Sequence, residues 1–183
     1  MFVRQWLVVC VALITASLAH AQVASGPTVG DPVKPLKVFA VVGDIMDKEL
    51  DYAAERKDKP TIYVFIQADK FDRPMNRFLK TLDGRVKEAF SEASIVAVWL
   101  TDDQAKTKEY LPRVQMSVQY QTTALTYFAG EKAGPNDWTV NADAHITVVV
   151  ANKAKVAAAF GYQSINETDV PPVEDALKKA IGK

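Results

Sequence analysis

Residues 60–90, PTIYVFIQADKFDRPMNRFLKTLDGRVKEAF, contain the clearest strand and helix patterns of this 183-residue chain. The stretch opens with Thr61–Gln67, a continuous run of β-branched and aromatic residues. Such a run is typical of a strand that is covered on both faces. In the segment that follows, large apolar residues recur every three or four positions, which predicts a long amphipathic helix. Its predicted inward stripe consists of Met75, Phe78, Leu79, Leu82, Val86, Ala89 and Phe90.

The predicted helix begins at Asp72. Aspartate is a favoured N-cap residue, and Pro74 suits the first turn, where backbone N–H groups have no partner within the helix. Gly84 lies inside the helix and should destabilise it by about 1 kcal/mol relative to alanine. The strand and the helix therefore meet at a polar corner around residues 68–72.

The first 21 residues have the pattern of a secretory signal peptide. Arg4 precedes a short apolar stretch, and residues 19–21, Ala-His-Ala, form a small-x-small cleavage pattern. An uncleaved membrane anchor is the alternative. Cleavage would remove Cys10, the only cysteine, so the mature chain could form neither a disulfide nor a thiolate nucleophile. We therefore expect a secreted or periplasmic protein with no membrane anchor after cleavage.

The charge balance excludes one large class of partners. The chain has 22 basic and 22 acidic residues, so no basic excess is present to bind a phosphate backbone. Nucleic acid is not an expected partner, and no cofactor is expected. After cleavage, His145 would be the only histidine, since His20 lies in the signal peptide.

The remaining segments predict one domain, residues 36–183, after an extended lead-in, residues 22–35. Strands are expected at 36–42, Ser94–Leu100, 122–128, 146–151 and 156–161. Helices are expected at 48–57, with Leu50, Ala53 and Ala54 inward, from a Thr101–Gln104 capping box to about residue 118, and from Pro171 onward. Pro112 should kink or divide the second of these. Strand–helix–strand order implies parallel crossovers, the closing hairpin makes the sheet mixed, and helices should flank both faces.

Four short segments carry a resemblance to a known family. They are Val29-Gly30-Asp31-Pro32, Lys59-Pro60, Phe71-Asp72-Arg73-Pro74-Met75 and Ile146-Thr147. With the element order, they resemble the thioredoxin-like fold and, more narrowly, the exported redoxins. In that family the third segment is Trp-Cys-x-Pro-Cys and the fourth begins with a cis-proline. The resemblance covers residues 29–183 and implies an α/β three-layer sandwich with a mixed β-sheet.

This chain departs from the family at the positions that carry its chemistry. Asp72 and Met75 occupy the two cysteine positions, and Ile146 occupies the proline position, where a cis peptide would now cost about 3 kcal/mol. Dithiol exchange and peroxide reduction are therefore not expected. The fold pattern together with the missing thiols instead favours a non-redox binding or structural module of the cell envelope, with an unknown protein or small molecule as its partner.

Two carboxylate hypotheses remain open. Asp72 is either a helix cap or, with His145 in the loop expected to face it, half of an acid–base pair in an enzyme that reuses the pocket. Asp69, Asp102 and Asp103 follow the ends of neighbouring parallel strands, where open α/β sheets bind ligands. They could hold a hard cation such as Ca²⁺, or they could simply favour two helix N-termini.

The long connection at residues 129–143 is the remaining candidate. Connections of this length are often binding elements, which makes Asn136, Asp137 and Trp138 candidate contacts. The alternative is a cover for the sheet that is anchored by Trp138.

Overall fold

Strand β3 (Thr61–Gln67) lies inside the sheet of the computed structural model, which describes residues 23–182. The other strands are β1 (Lys37–Val42), β2 (Lys48–Asp51), β4 (Ser94–Leu100), β5 (Thr123–Tyr127), β6 (Ile146–Asn152) and β7 (Lys155–Tyr162). Their order across the sheet is β2-β1-β5-β4-β3-β6-β7. β3, β4 and β5 are mutually parallel, and the remaining pairs are antiparallel. Every residue of β3 is buried, as predicted for a strand covered on both faces.

Helices flank both faces of the mixed sheet, as predicted, but unequally. They are α1 (Tyr52–Arg56), α2 (Arg73–Ala89), α3 (Gln104–Val118) and α4 (Val170–Ile181). The three long helices share one hydrophobic core, to which Phe78, Leu111 and Leu177 contribute. Because the chain moves from β3 to β4 to β5 in one direction, right-handed crossovers place α2 and α3 on the same face. On the other face, Tyr52 of α1 and Trp138 belong to a second core.

The prediction of a helix at 48–57 is wrong for the first half of that range. Lys48–Asp51 forms β2, which pairs antiparallel with β1, and only Tyr52–Arg56 is helical. The carboxylate of Asp51 accepts hydrogen bonds from the N–H groups of Ala53 and Ala54, so the helix begins there. Tyr52 is the buried side chain of this short helix, whereas Ala54 is exposed.

Three smaller expectations about helices also differ from the structure. Asp103, not Thr101, caps α3, since its carboxylate accepts from the N–H of Lys106 at 2.9 Å. The Thr101 hydroxyl instead accepts from the N–H of Asp103 at 3.0 Å. Pro112 does not divide α3, which runs unbroken through it. Ala89 is exposed rather than part of the inward stripe.

Residues 23–35 of the lead-in contain no helix and no extended strand, yet they are hydrogen-bonded along β7. Val23 and Gly30 donate to the carbonyl groups of Gly161 and Val156, at 2.9 and 2.8 Å. The predicted signal peptide lies outside the described residues. None of the helices in the described part of the chain is both long enough and apolar enough to span a membrane.

Candidate functional site

Residues 71–75, which the sequence predicted to replace the redox motif of the family, lie at the corner between β3 and α2. Asp72 is the N-cap of α2, and its carboxylate accepts from the N–H of Met75 at 2.9 Å. Arg73 is exposed, Pro74 lies in the first turn, and the side chain of Met75 is buried. The two residues predicted to stand at the cysteine positions of the family thus have structural roles, Asp72 as a helix cap and Met75 in the core.

Ile146 and His145 lie at the start of β6. Ile146 is buried opposite Ile66 of β3, and no cis peptide bond occurs in residues 23–182. The carbonyl of His145 accepts from the N–H of Gln67, which holds His145 beside the end of β3. Within the described residues, no hydrogen bond or ion pair joins His145 to Asp72. In this part of the chain the structure therefore shows no direct polar contact between the two members of the hypothetical acid–base pair.

A cavity of about 350 Å³ opens at the carboxyl ends of β3 and β4, between the starts of α2 and α3. We call it the Trp99 cavity. Phe71, Trp99 and Leu100 line its apolar part, and the rings of Phe71 and Trp99 meet edge to face at 5.3 Å. Thr107 and Tyr110 of α3 add a mixed wall. Its charged lining consists of Asp69, Asp102, Asp103, Lys106 and Lys132.

Lys132 connects the 129–143 loop to this edge of the sheet. Its ammonium lies 3.1 Å from the carboxylate of Asp69 and 3.9 Å from that of Asp102. The hydrogen bond from Lys132 is the main reason that the pKa of Asp69 lies below its ordinary value. Sequence reasoning placed the carboxylates at one edge but missed Lys132, because nothing in a loop sequence reveals where its charge will lie.

The contacts of Asp69, Asp102 and Asp103 compete with the cation that the sequence suggested for these three carboxylates. Asp103 is engaged as a helix cap, and Lys132 supplies positive charge beside Asp69 and Asp102. In residues 23–182, no group of three or more His, Cys, Asp or Glu side chains is arranged to hold a metal ion.

The indole N–H of Trp99 is buried and donates to no acceptor in the described part of the protein. Trp99 itself is only 1% exposed. A buried donor without a partner costs about 1–3 kcal/mol, so such groups are uncommon in native structures. Sequence reasoning missed this residue, since a tryptophan in a buried strand indicates packing alone.

The indole N–H of Trp138, unlike that of Trp99, has a hydrogen-bond acceptor. Its N–H donates to the carbonyl of Pro35 at 3.1 Å, and its ring packs against Tyr63 and Phe65 at 4.9 and 5.1 Å. Trp138 is fully buried, while Asn136 and Asp137 are exposed in a short 3-10 turn. Of the two hypotheses for the loop, Trp138 thus has the contacts expected of an anchored cover.

Neither known sequence families nor curated proteins match this chain. Several solved structures, however, superpose on this chain over most of its length. A Chlorobium tepidum protein described as the thiol:disulfide interchange protein DsbE superposes with a TM-score of 0.62 at 13% identity, over 85% of this chain and 99% of its own. A Bacteroides thetaiotaomicron protein described as a protein disulfide isomerase gives 0.63 at 8% identity, over 91% and 96%. A thiol peroxidase from Chromobacterium violaceum gives 0.57 at 10%, over 89% and 93%. These likenesses show the thioredoxin-like fold.

Proposed function

We propose that this protein is an exported thioredoxin-like binding domain that performs no thiol redox chemistry. One observation carries the proposal: the corner where the fold would place its cysteines holds a capping carboxylate, Asp72, and a buried thioether, Met75. Residues 23–183 contain no cysteine that could replace them. This part of the chain therefore has no thiol that could take part in dithiol–disulfide exchange.

The binding role rests on the carboxyl edge of the sheet. Open α/β sheets bind ligands beyond the carboxyl ends of their parallel strands, and the Trp99 cavity lies at the ends of β3 and β4. It is large enough for a small molecule, and its lining combines the apolar side chains of Phe71, Trp99 and Leu100 with polar and charged groups that could orient a ligand. Export rests on the signal-peptide pattern of residues 1–21, which implies the periplasm or the external medium.

A redox assay with a cysteine-restored variant tests the proposal. The full chain is expressed in a host with a secretion pathway, and the exported protein is assayed for insulin reduction and peroxide consumption. We expect no turnover above background and no thiol that reacts with Ellman's reagent. Asp72→Cys combined with Met75→Cys is the matched variant, because it restores both cysteine positions at the start of α2.

The variant should contain two reactive thiols after reduction, which shows that the assay detects thiols in this fold. Insulin reduction or peroxide consumption by the wild-type protein, at a rate proportional to its concentration, would rule out the proposal. One reactive thiol in the exported wild-type protein would show that Cys10 is retained and would contradict signal-peptide cleavage.

A further inference from the structure

We infer that a second cavity, which shares the Lys132–Asp69 ion pair with the Trp99 cavity, binds a small neutral polyhydroxy ligand of monosaccharide size. The inference adds a site to the proposed binding domain. It rests neither on the Trp99 cavity nor on the absence of thiol chemistry.

The second cavity lies where β3 ends and β6 begins, beside the end of the 129–143 loop, and we call it the Gln67 cavity. Its lining includes two carboxamides, those of Gln67 and Gln163, and the imidazole of His145. At about 310 Å³ it lies near the lower end of small-molecule sites, which suits one six-membered ring with its substituents.

The strand places the Gln67 side chain on the cavity side of the sheet. Alternate residues of a strand lie on the same face, so Gln67 shares a face of β3 with Tyr63 and Phe65. The ring of Trp138, in the 129–143 loop, packs against both of these aromatic residues. The same loop continues to Asp143, which forms part of the cavity wall.

Gln67 is a buried residue whose amide is still available. The residue is 6% exposed, and within residues 23–182 its side chain makes no hydrogen bond. Both amide atoms nonetheless remain accessible, because the sealed polar atoms without a partner in these residues belong to Trp99 and Gln115. Buried polar groups are normally paired with protein, water or ligand atoms, so this amide is open to a partner from outside the chain.

Two further side chains lie beside that amide. The N–H of Gln67 donates to the carbonyl of His145 at 3.0 Å. Strands β6 and β7 stay paired up to Tyr162, so Gln163 follows beside His145. In the described part of the chain, neither of these two side chains makes a hydrogen bond or an ion pair. Carboxamides and imidazoles supply both donors and acceptors, so the row offers both kinds of group to one ligand.

The charged lining selects a neutral ligand with hydroxyl groups. It consists of Asp69, Lys70, Lys132 and Asp143. The Asp69 carboxylate lies 3.1 Å from the ammonium of Lys132 and 3.8 Å from that of Lys70. The Asp143 carboxylate has no hydrogen bond or ion pair within residues 23–182. An ion of either sign would lie near a charge of its own sign. A hydroxyl avoids this, because it donates to a carboxylate and accepts from an ammonium, and hydrogen bonds to charged groups are strong.

An NMR titration of the wild-type protein tests the inference. The full chain is expressed with ¹³C and ¹⁵N labels in a host with a secretion pathway, and the exported protein is purified. Its amide signals, including those of the glutamine side chains, are assigned by triple-resonance experiments. Glucose, galactose and mannose are the probes, and tetrahydropyran is the control, since it has the same six-membered ring without hydroxyls. Each is titrated to about 50 mM, several times the low-millimolar Kd expected of a ligand with so few atoms.

At least one sugar should move the side-chain amide signals of Gln67 saturably, while tetrahydropyran leaves them in place. The side-chain amide of Gln121 is the internal reference, because it is exposed and lies outside the cavity. If none of the three sugars gave a saturable shift, or if tetrahydropyran gave an equal one, the inference would be overturned.

A pair of variants locates the site. Gln67→Met keeps the length of the side chain but removes the amide, and it should weaken sugar binding, followed at the backbone amide of His145, about fivefold. Gln121→Met makes the same change outside the cavity and should bind as the wild type does. Wild-type affinity in Gln67→Met, or an equal loss in both variants, would also overturn the inference. The wild-type titration decides alone if Gln67→Met does not fold.

The redox assays do not measure this site. A failed titration with clean redox assays would remove the sugar site and leave the non-redox proposal in place. Redox turnover with a successful titration would do the reverse.

Discussion

At the scale of single residues, Asp83 is the least expected feature of the fold. It lies in the buried face of α2 at 1% exposure, although a charged residue among apolar neighbours normally faces solvent. Its carboxylate accepts from the N–H groups of Gln121 and Thr122, each at 2.9 Å, and from the hydroxyls of Thr122 and Thr123, at 3.0 and 2.7 Å. Four donors offset the loss of hydration and tie the middle of α2 to the start of β5.

We predict that Asp83→Asn destabilises the protein by about 3 kcal/mol. The amide keeps one acceptor oxygen but turns an NH₂ group toward donors that then lack a partner. The measurement is urea unfolding followed by far-UV circular dichroism. Asp175→Asn is the control, because Asp175 lies on α4 with its side chain 75% exposed and should change stability by less than about 0.5 kcal/mol. Equal midpoints for the two variants would contradict a structural role for the buried carboxylate.

At the scale of elements, local patterns predicted β3, β4 and α2 closely. The apolar run, the three-four spacing and the Asp72 cap are properties of neighbouring residues, so the sequence reveals them directly. Local patterns gave a wrong prediction for the first half of 48–57. Lys48–Asp51 consists of good helix formers but forms the edge strand β2, which pairs with β1. That pairing depends on a distant segment, and tertiary contacts regularly override local propensity. The same limit explains why Asp83 could not be recognised.

The 129–143 loop is fastened to the sheet at two points, by the ring of Trp138 and by the charge of Lys132. We predict that Lys132→Met raises the pKa of Asp69 toward its ordinary value, because the hydrogen bond from Lys132 is the main cause of its depression. A carbon-detected NMR titration of the Asp69 carboxyl measures this. Lys70→Met is the control, since Lys70 lies 3.8 Å from the same carboxylate and contributes less. An equal rise in both variants would contradict the assignment.

The ion pair between Lys132 and Asp69 stabilises the folded state slightly, and its contribution depends on pH. Because the pKa of Asp69 is lower in the folded state, the pair stabilises the protein at pH values above the unfolded-state pKa. Its contribution is lost as the pH falls through the folded-state pKa. Both side chains are more than one-third exposed, so solvent screening limits the contribution to less than about 1 kcal/mol.

At the scale of the whole molecule, the sheet separates two cores and brings the ends of β3 and β4 together at the Trp99 cavity. Sequence alone predicted that Asp69 and Asp102 would share this edge, because the carboxyl ends of neighbouring parallel strands coincide. It could not predict that Lys132 would lie between them or that the N–H of Trp99 would lack an acceptor. Both depend on how separate segments pack, which no short stretch of sequence encodes.

The lead-in belongs to the same architecture. A Cβ atom on Gly161 of β7 would overlap the carbonyl oxygen of Val23 and lie 2.6 Å from the Cβ of Ser25. That close approach accompanies the hydrogen bond from Val23 to Gly161 and a 2.6 Å contact between the hydroxyls of Ser25 and Thr147. The residues after the predicted cleavage site are thus packed against β7 rather than separate from the fold.

We predict that Gly161→Ala displaces the start of the lead-in and destabilises the protein by about 1–3 kcal/mol, the usual effect of overpacking. Gly84→Ala is a control of opposite sign: a Cβ there meets nothing within 4 Å, and alanine should stabilise α2 by about 0.5–1 kcal/mol. Urea unfolding measures both, and hydrogen exchange should show faster exchange at the Val23 amide in Gly161→Ala alone. If Gly161→Ala matched the wild type in both measurements, the lead-in would contribute nothing to the stability of the domain.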